Sequence, residues 1–264
     1  MSEIYDLLDP VSNTAYIDME FGAAYGSHNK INIPIEIGTV LYNPKSDELD
    51  FSGKKFHYDI EVEQWQNVTD ELKRTIDVKV RTFNVGKPEI AILRSSKFHL
   101  DDAGKRNAIR ISRSIHYNLN EYMQNLKKRD MRTVVFFAND RENFALKRAG
   151  FDTSNLVCRD LQKEIKEKFS LEQIMSLDRL SYVIKFRLSK NTIHSEHYSY
   201  KIPEKFQYLV KPHKAIGDAA RMFILSKEFY HHADDLEENI KKYLALCENY
   251  AISSKKNQTF KDLH

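Results

Sequence analysis

Glycine, proline, cysteine and tryptophan are scarce in this chain: 8, 6, 2 and 1 among 264 residues. So few chain breakers argue against long flexible linkers. The two cysteines, Cys158 and Cys247, lie far apart and have no partner motif. They fit free thiols in a reducing cytoplasm, and neither reads as a nucleophile. The N-terminus, MSEIYDLLDPVSNTAY, lacks both a basic and an apolar stretch, so no secretory signal is expected. No apolar run reaches the length of a membrane span, and there is no internal repeat or low-complexity tract. What remains reads as a soluble globular chain: 41% apolar, 30% charged, long enough for one domain with elaborations. The net charge of +3 permits nucleic-acid binding but does not demonstrate it.

The first third alternates like strands. Residues 14–21, 31–42 and 53–62 are candidates, the third preceded by a turn signal in NPKSDELDFSG. Their short connections predict an antiparallel meander. Residues 114–130 then place Ile115, Leu119, Tyr122, Met123 and Leu126 at helical spacing. TVVFFAND (133–140) is a continuous apolar run, expected to be a buried parallel strand reached through a helical crossover. RENFALKRAG (141–150) predicts a helix stopped by Gly150, and NLVCRDL a short strand. Residues 160–188 are mostly helical by pattern, a final helix spans about 215–250, and 251–264 read as a frayed tail. The order is βββ–α–β–α–(β)–α–α, an α/β layer architecture with a mixed sheet.

Two carboxylates interrupt the first strand, TAYIDMEF. Residues two apart on a strand share a face, so Asp18 and Glu20 point the same way, roughly 6.5–7 Å apart along the chain. Buried side by side they repel, and a hard divalent cation neutralises them well. Alone, D-x-E is a weak pattern that also fits two surface acids on an edge strand. Asp140 closes the strand TVVFFAND, where ligands collect in open α/β sheets, but it also suits the N-cap of the next helix. In PHKAIGDAARMF, His213 and Asp218 are five apart, roughly 140° around a helix, so they share a site only if His213 lies in the loop before it. Ala215, Gly217, Ala219 and Ala220 would let that helix approach closely.

In this order the three elements resemble the DEDDh family of 3′–5′ exonucleases. That family includes the proofreading subunit of bacterial replicative polymerase and oligoribonuclease. Asp18 and Glu20 match its D-x-E motif, Asp140 is the best match to its second acid, and HKAIGDA is similar to its H-x-A-x-x-D-A form. Asp152 and Asp160 are rivals for the place of Asp140. The resemblance covers roughly residues 12–230. It implies a ribonuclease H-like fold: three antiparallel N-terminal strands, then parallel strands, flanked by helices. One exonuclease domain over 1–250 is expected, with insertions near 63–113 and 160–210. It implies two Mg²⁺ or Mn²⁺ ions held by Asp18, Glu20, Asp140 and Asp218, with His213 as the general base. The implied substrate is the 3′ end of single-stranded DNA or RNA, cut to nucleoside 5′-monophosphates in the cytoplasm, with a polymerase or another nucleic-acid-processing protein as an implied partner and no membrane. Met19 and Phe21 are implied contacts for the terminal nucleotide. Phe21 departs from the family, which often has Thr there. The alternative is a nucleic-acid-binding accessory module on the same fold that cuts weakly or not at all.

Four other features stand out. Arg106, Arg110 and Arg113, beside Lys105, have near-helical spacing and suit either phosphates or a solvated helix face. HSEHYSY offers His194, Glu196 and His197 but no further ligands at finger or zincin spacing, so an exposed loop is expected. YHHADDLEEN reads as the polar face of the last helix. Trp65 suits packing better than base stacking.

Overall fold

Side-chain alternation along the first strand decides the architecture. In the computed structural model, which describes residues 12–25, 30–56, 60–61 and 102–261, strand β1 (Asn13–Tyr25) lies inside a six-stranded sheet. Its odd-numbered residues Ala15, Ile17 and Met19 enter one core, and Tyr16 enters the other. Both faces are therefore covered, which explains the nearly continuous apolar run.

β1 pairs antiparallel with β2 (Lys30–Asn43), which pairs with β3 (Glu48–Lys55), and β3 with β4 (Ile60–Glu61). Helix α1 (Asp102–Lys128) leads to β5 (Met131–Phe136), parallel to β1 on its other side. Helix α2 (Asp140–Ala149) leads to β6 (Val157–Asp160), parallel to β5. The order is β4-β3-β2-β1-β5-β6. The chain is thus α/β with a mixed sheet, as the meander-then-crossover pattern implied. Gly150 ends α2 in the left-handed region (φ 73°), as its position predicted.

After β6 come α3 (Leu161–Lys168), α4 (Leu177–Val183) and a small antiparallel sheet of β7 (Arg187–Ser189), β8 (Thr192–His194) and β9 (Ser199–Lys201). A 3₁₀ turn (Glu204–Phe206) precedes α5 (Ala215–His231), and α6 (Ala233–Lys261) closes the chain. α1 and α2 cover the Ile17 face. The central helix α5 covers the Tyr16 face, and α3, α4 and α6 surround it. Nearly every residue of α5 is buried, as expected of a helix that is apolar all round. Phe223 on α5 meets the rings of Tyr16, Tyr42 and Tyr200. Burying such a ring contributes about 1.5–3 kcal/mol. The Ser226 hydroxyl reaches the Tyr16 oxygen at 2.8 Å, so that phenol is paired although buried, and burial pushes its pKa up to about 12.

Several boundaries differ from expectation. The third strand begins at Glu48, inside the stretch read as a turn. Asp47 takes φ 53°, which tightens the reversal and lets Leu49 and Phe51 join the core at once. α1 starts twelve residues before the expected helix, at Asp102. The final helix is two: His232 leaves helical geometry (φ −133°, ψ 45°) and the chain turns into α6. α6 continues to Lys261, so 251–261 is helix rather than tail. HSEHYSY is not a free loop; it spans the β8–β9 hairpin. Within 160–188, residues 169–176 form no helix. Trp65 and most of the expected insertion at 63–113 lie outside the described residues. No helix among the described residues is long and apolar enough to cross a membrane.

Candidate metal centre

Strand register brings the acids together. Tyr16 pairs with Val40, Asp18 with Gly38, and Glu20 with Glu36, all on the face that α5 covers. The last residue of β1 paired to β5 is Tyr16, opposite Val135, so Asp18 sits two residues further along β1. Gly38 then matters for its missing side chain. A Cβ there would lie 2.1 Å from the Ala215 carbonyl carbon and the Ile216 nitrogen. The first turn of α5 can rest on β2 only because that position is bare. Gly217 has the same role toward the preceding loop, where a Cβ would lie 1.9 Å from the Lys211 oxygen. Glu36 fixes the helix start by accepting the Ala215 N–H at 3.1 Å.

This docking delivers Asp218 to Asp18 and Glu20. One carboxylate oxygen from each lies within 4.8 Å of the others. Asp18 is half-buried and Glu20 nearly buried, 9% exposed. The expectation that Asp18 and Glu20 share a face and meet Asp218 agrees with this geometry. Burial raises the pKa of Asp18 well above its ordinary value, and the charges of Asp218 and Glu20 raise it further. Burial raises Asp218 as well, opposed by the Arg221 guanidinium. Arg221 donates to Asp218 Oδ1 at 2.8 Å and, through its other nitrogens, to Ser181 and Asp178. The His213 backbone N–H also donates to Asp218 Oδ1, at 3.3 Å. Both bonds fall on one oxygen, which leaves Oδ2 as the candidate ligand atom.

His213 lies in the loop before α5, as the spacing required. Its backbone is left-handed (φ 62°), a strained state for a residue with a side chain. The ring is 55% exposed, with Nε2 3.9 Å from an Asp178 oxygen, so a group arriving from solvent can reach it.

Asp140, first residue of α2, is exposed and is not drawn into the Asp18 group. Glu142, two residues further along α2, is buried at 7% exposure. Its Oε2 is buried with no hydrogen-bond partner among the described residues. Its charge acts on Asp18, and burial pushes its own pKa up to about 7. A buried carboxylate oxygen without a partner is costly unless a cation or a proton accompanies it. The rivals are committed elsewhere. Asp160 caps α3 and accepts backbone N–H bonds from Lys163, Ala138 and Asn139. Asp152 is exposed and caps a turn through the Ser154 N–H.

Comparison with protein-family models and with curated proteins finds no match. The site is therefore read from its own chemistry. Three acids, Asp18, Glu20 and Asp218, converge from β1 and α5, and the charge of Glu142 on α2 also acts on Asp18. Oxygen-only donors of this kind suit hard divalent cations.

The other expected contacts separate. Met19 is buried at 4% exposure in the α1/α2-side core, because alternation turns it away from Asp18. Phe21 packs partly buried against the same core, past a register shift between Glu20 and Phe21. Neither side chain shares the face of the acids. Arg113 is exposed on α1. The side chains of Arg106 and Arg110 lie outside the described residues. Glu142 and Glu36 escaped the sequence reading. The available signal was helical phase: Glu142, Ala145 and Leu146 occupy one face of α2 at i, i+3, i+4, whereas Asp140 does not.

Proposed function

We propose that this chain is a metal-dependent 3′–5′ exonuclease on a ribonuclease H-like fold. One observation carries the reading: Asp18, Glu20 and Asp218, separated by some two hundred residues of sequence, place carboxylate oxygens within 4.8 Å of one another. The acids stand in the order that the resemblance to the DEDDh family requires, with Glu142 taking the part first assigned to Asp140. The mixed sheet, with antiparallel strands β1–β4 followed by the parallel strands β5 and β6, is compatible with that fold.

Asp18, Glu20, Asp218 and Glu142 would hold Mg²⁺ or Mn²⁺. Bound there, the metal supplies charge neutralisation for the phosphodiester and a water of lowered pKa. Arg221 and the His213 N–H fix the Asp218 carboxylate, so its free oxygen is aimed before substrate arrives. The exposed His213 imidazole takes a proton from the attacking water. Water adds to phosphorus, the 3′-oxygen leaves with a proton, and a nucleoside 5′-monophosphate departs.

The test is a time course on 5′-labelled single-stranded DNA and RNA with Mg²⁺ or Mn²⁺. The wild type shortens at least one of them from the 3′ end. Asp18→Asn, folded by circular dichroism, does not. A folded wild type inert on both substrates with either metal sinks the reading.

A further inference from the structure

Two sequence features left aside by the acidic site meet in space. His197 comes from HSEHYSY, in the β8–β9 connection. His232 and Asp235 come from YHHADDLEEN, at the break between α5 and α6. One ring nitrogen of each histidine and one Asp235 oxygen lie within 4.8 Å of one another.

A second observation concerns Glu228 on α5, whose side chain is only 4% exposed. Glu228 holds His197 twice. Oε1 accepts the His197 backbone N–H at 3.0 Å, and Oε2 lies 2.7 Å from Nδ1. That grip puts the ring proton on Nδ1 and leaves the Nε2 lone pair pointing away from Glu228. Nε2 faces Asp235 Oδ2 at 3.6 Å, too long for a good hydrogen bond. A buried carboxylate on the far nitrogen of a histidine is how proteins orient metal-ligating imidazoles.

We propose that His197, His232 and Asp235 bind a borderline first-row divalent cation, Zn²⁺ foremost, that clamps the β8–β9 hairpin to the α5–α6 corner. Two imidazoles and a carboxylate suit Zn²⁺, whereas the oxygen-only site suits Mg²⁺ or Mn²⁺. Three protein ligands leave a fourth position for water. The two rings are stacked, with centroids 3.8 Å apart and planes 7° apart. Ligation requires the His232 ring to tilt so that both lone pairs converge, and the donor atoms to close to ~3.4 Å, the spacing on a tetrahedral zinc ion. His232 is placed to do this, since it occupies the non-helical position between two helices. The clamp is independent of the exonuclease reading.

The experiment uses the full chain carrying Asp18→Asn, which weakens the acidic site, after chelator treatment. Co²⁺ is titrated in and followed by its visible absorption, then displaced with Zn²⁺. One equivalent is expected to give intense bands, which Zn²⁺ removes and excess Mg²⁺ does not. Zn²⁺ is also expected to raise the thermal midpoint. His232→Ala and Asp235→Asn lose both responses. Asp235 is 59% exposed in its side chain, so its amide variant folds normally and serves as the clean test. Glu228→Gln keeps the ligands but weakens binding ~10–100-fold. Bands of equal strength in the parent and Asp235→Asn, or no Co²⁺ uptake by the folded parent, overturn the proposal.

Discussion

Replacing Glu142 by Gln is expected to stabilise the metal-free protein at alkaline pH. The carboxyl is buried, one of its oxygens has no partner, and its pKa stands at about 7 against an ordinary 4.5. The folded state therefore binds this proton more tightly than the unfolded state does. Stability from this group is full below pH 4.5 and is lost as pH rises through 7. The gap of about 2.5 units corresponds to ~3 kcal/mol at pH 8. By pH 5 the difference falls below ~1 kcal/mol. Gln keeps the shape and removes the charge. For a chain of this size the gain is roughly 6–12 °C in thermal midpoint at pH 8. Calorimetry of both proteins in chelator at pH 5 and pH 8 checks it. Adding Mn²⁺ at pH 8 should then stabilise the wild type more than the variant, because only the wild type keeps the ligand. A variant equally or less stable than wild type at pH 8 in chelator refutes the burial argument. An equal response of both proteins to Mn²⁺ refutes the ligand role.

Asp140→Ala should retain nuclease activity in the labelled-oligonucleotide assay, whereas Glu142→Ala should abolish it; the reverse result restores the original assignment. Gly38→Ala should cost about 3 kcal/mol or more in urea titration and weaken Mn²⁺ binding, since the new methyl displaces the first turn of α5 and Asp218 with it. His213→Ala should lower turnover while leaving Mn²⁺ affinity in calorimetry unchanged, because the residue holds Asp218 through its backbone N–H rather than its ring. Arg221→Met should weaken Mn²⁺ binding at neutral pH, since Asp218 loses the cation that opposes its raised pKa; unchanged affinity would show that Asp218 is aimed without it.

Much of the sheet was legible because strands and crossover helix follow local rules. Alternation marked β1 and β2, the apolar run marked β5, and Gly150 marked the end of α2. The break at His232 carries no glycine or proline and could not be seen. The small β7–β9 sheet was missed because its strands are three residues long, too short for alternation to register. The extension of α1 back to Asp102 was missed because no apolar periodicity precedes residue 114 strongly enough.

The sequence by itself determined that Asp18 and Glu20 face one way, that His213 and Asp218 flank a helix start, and that an apolar strand leads toward an acid. Those are consequences of backbone period, and period is local. Only the tertiary structure decided that Glu142 is buried while Asp140 is exposed, because the two differ in helical phase against a neighbouring core, not in chemistry. It also decided that two unremarkable histidine-bearing stretches meet at one corner. Register across β1 and β2, and the bare backbone at Gly38 on which α5 rests, set those distances, and neither is a property of any single segment.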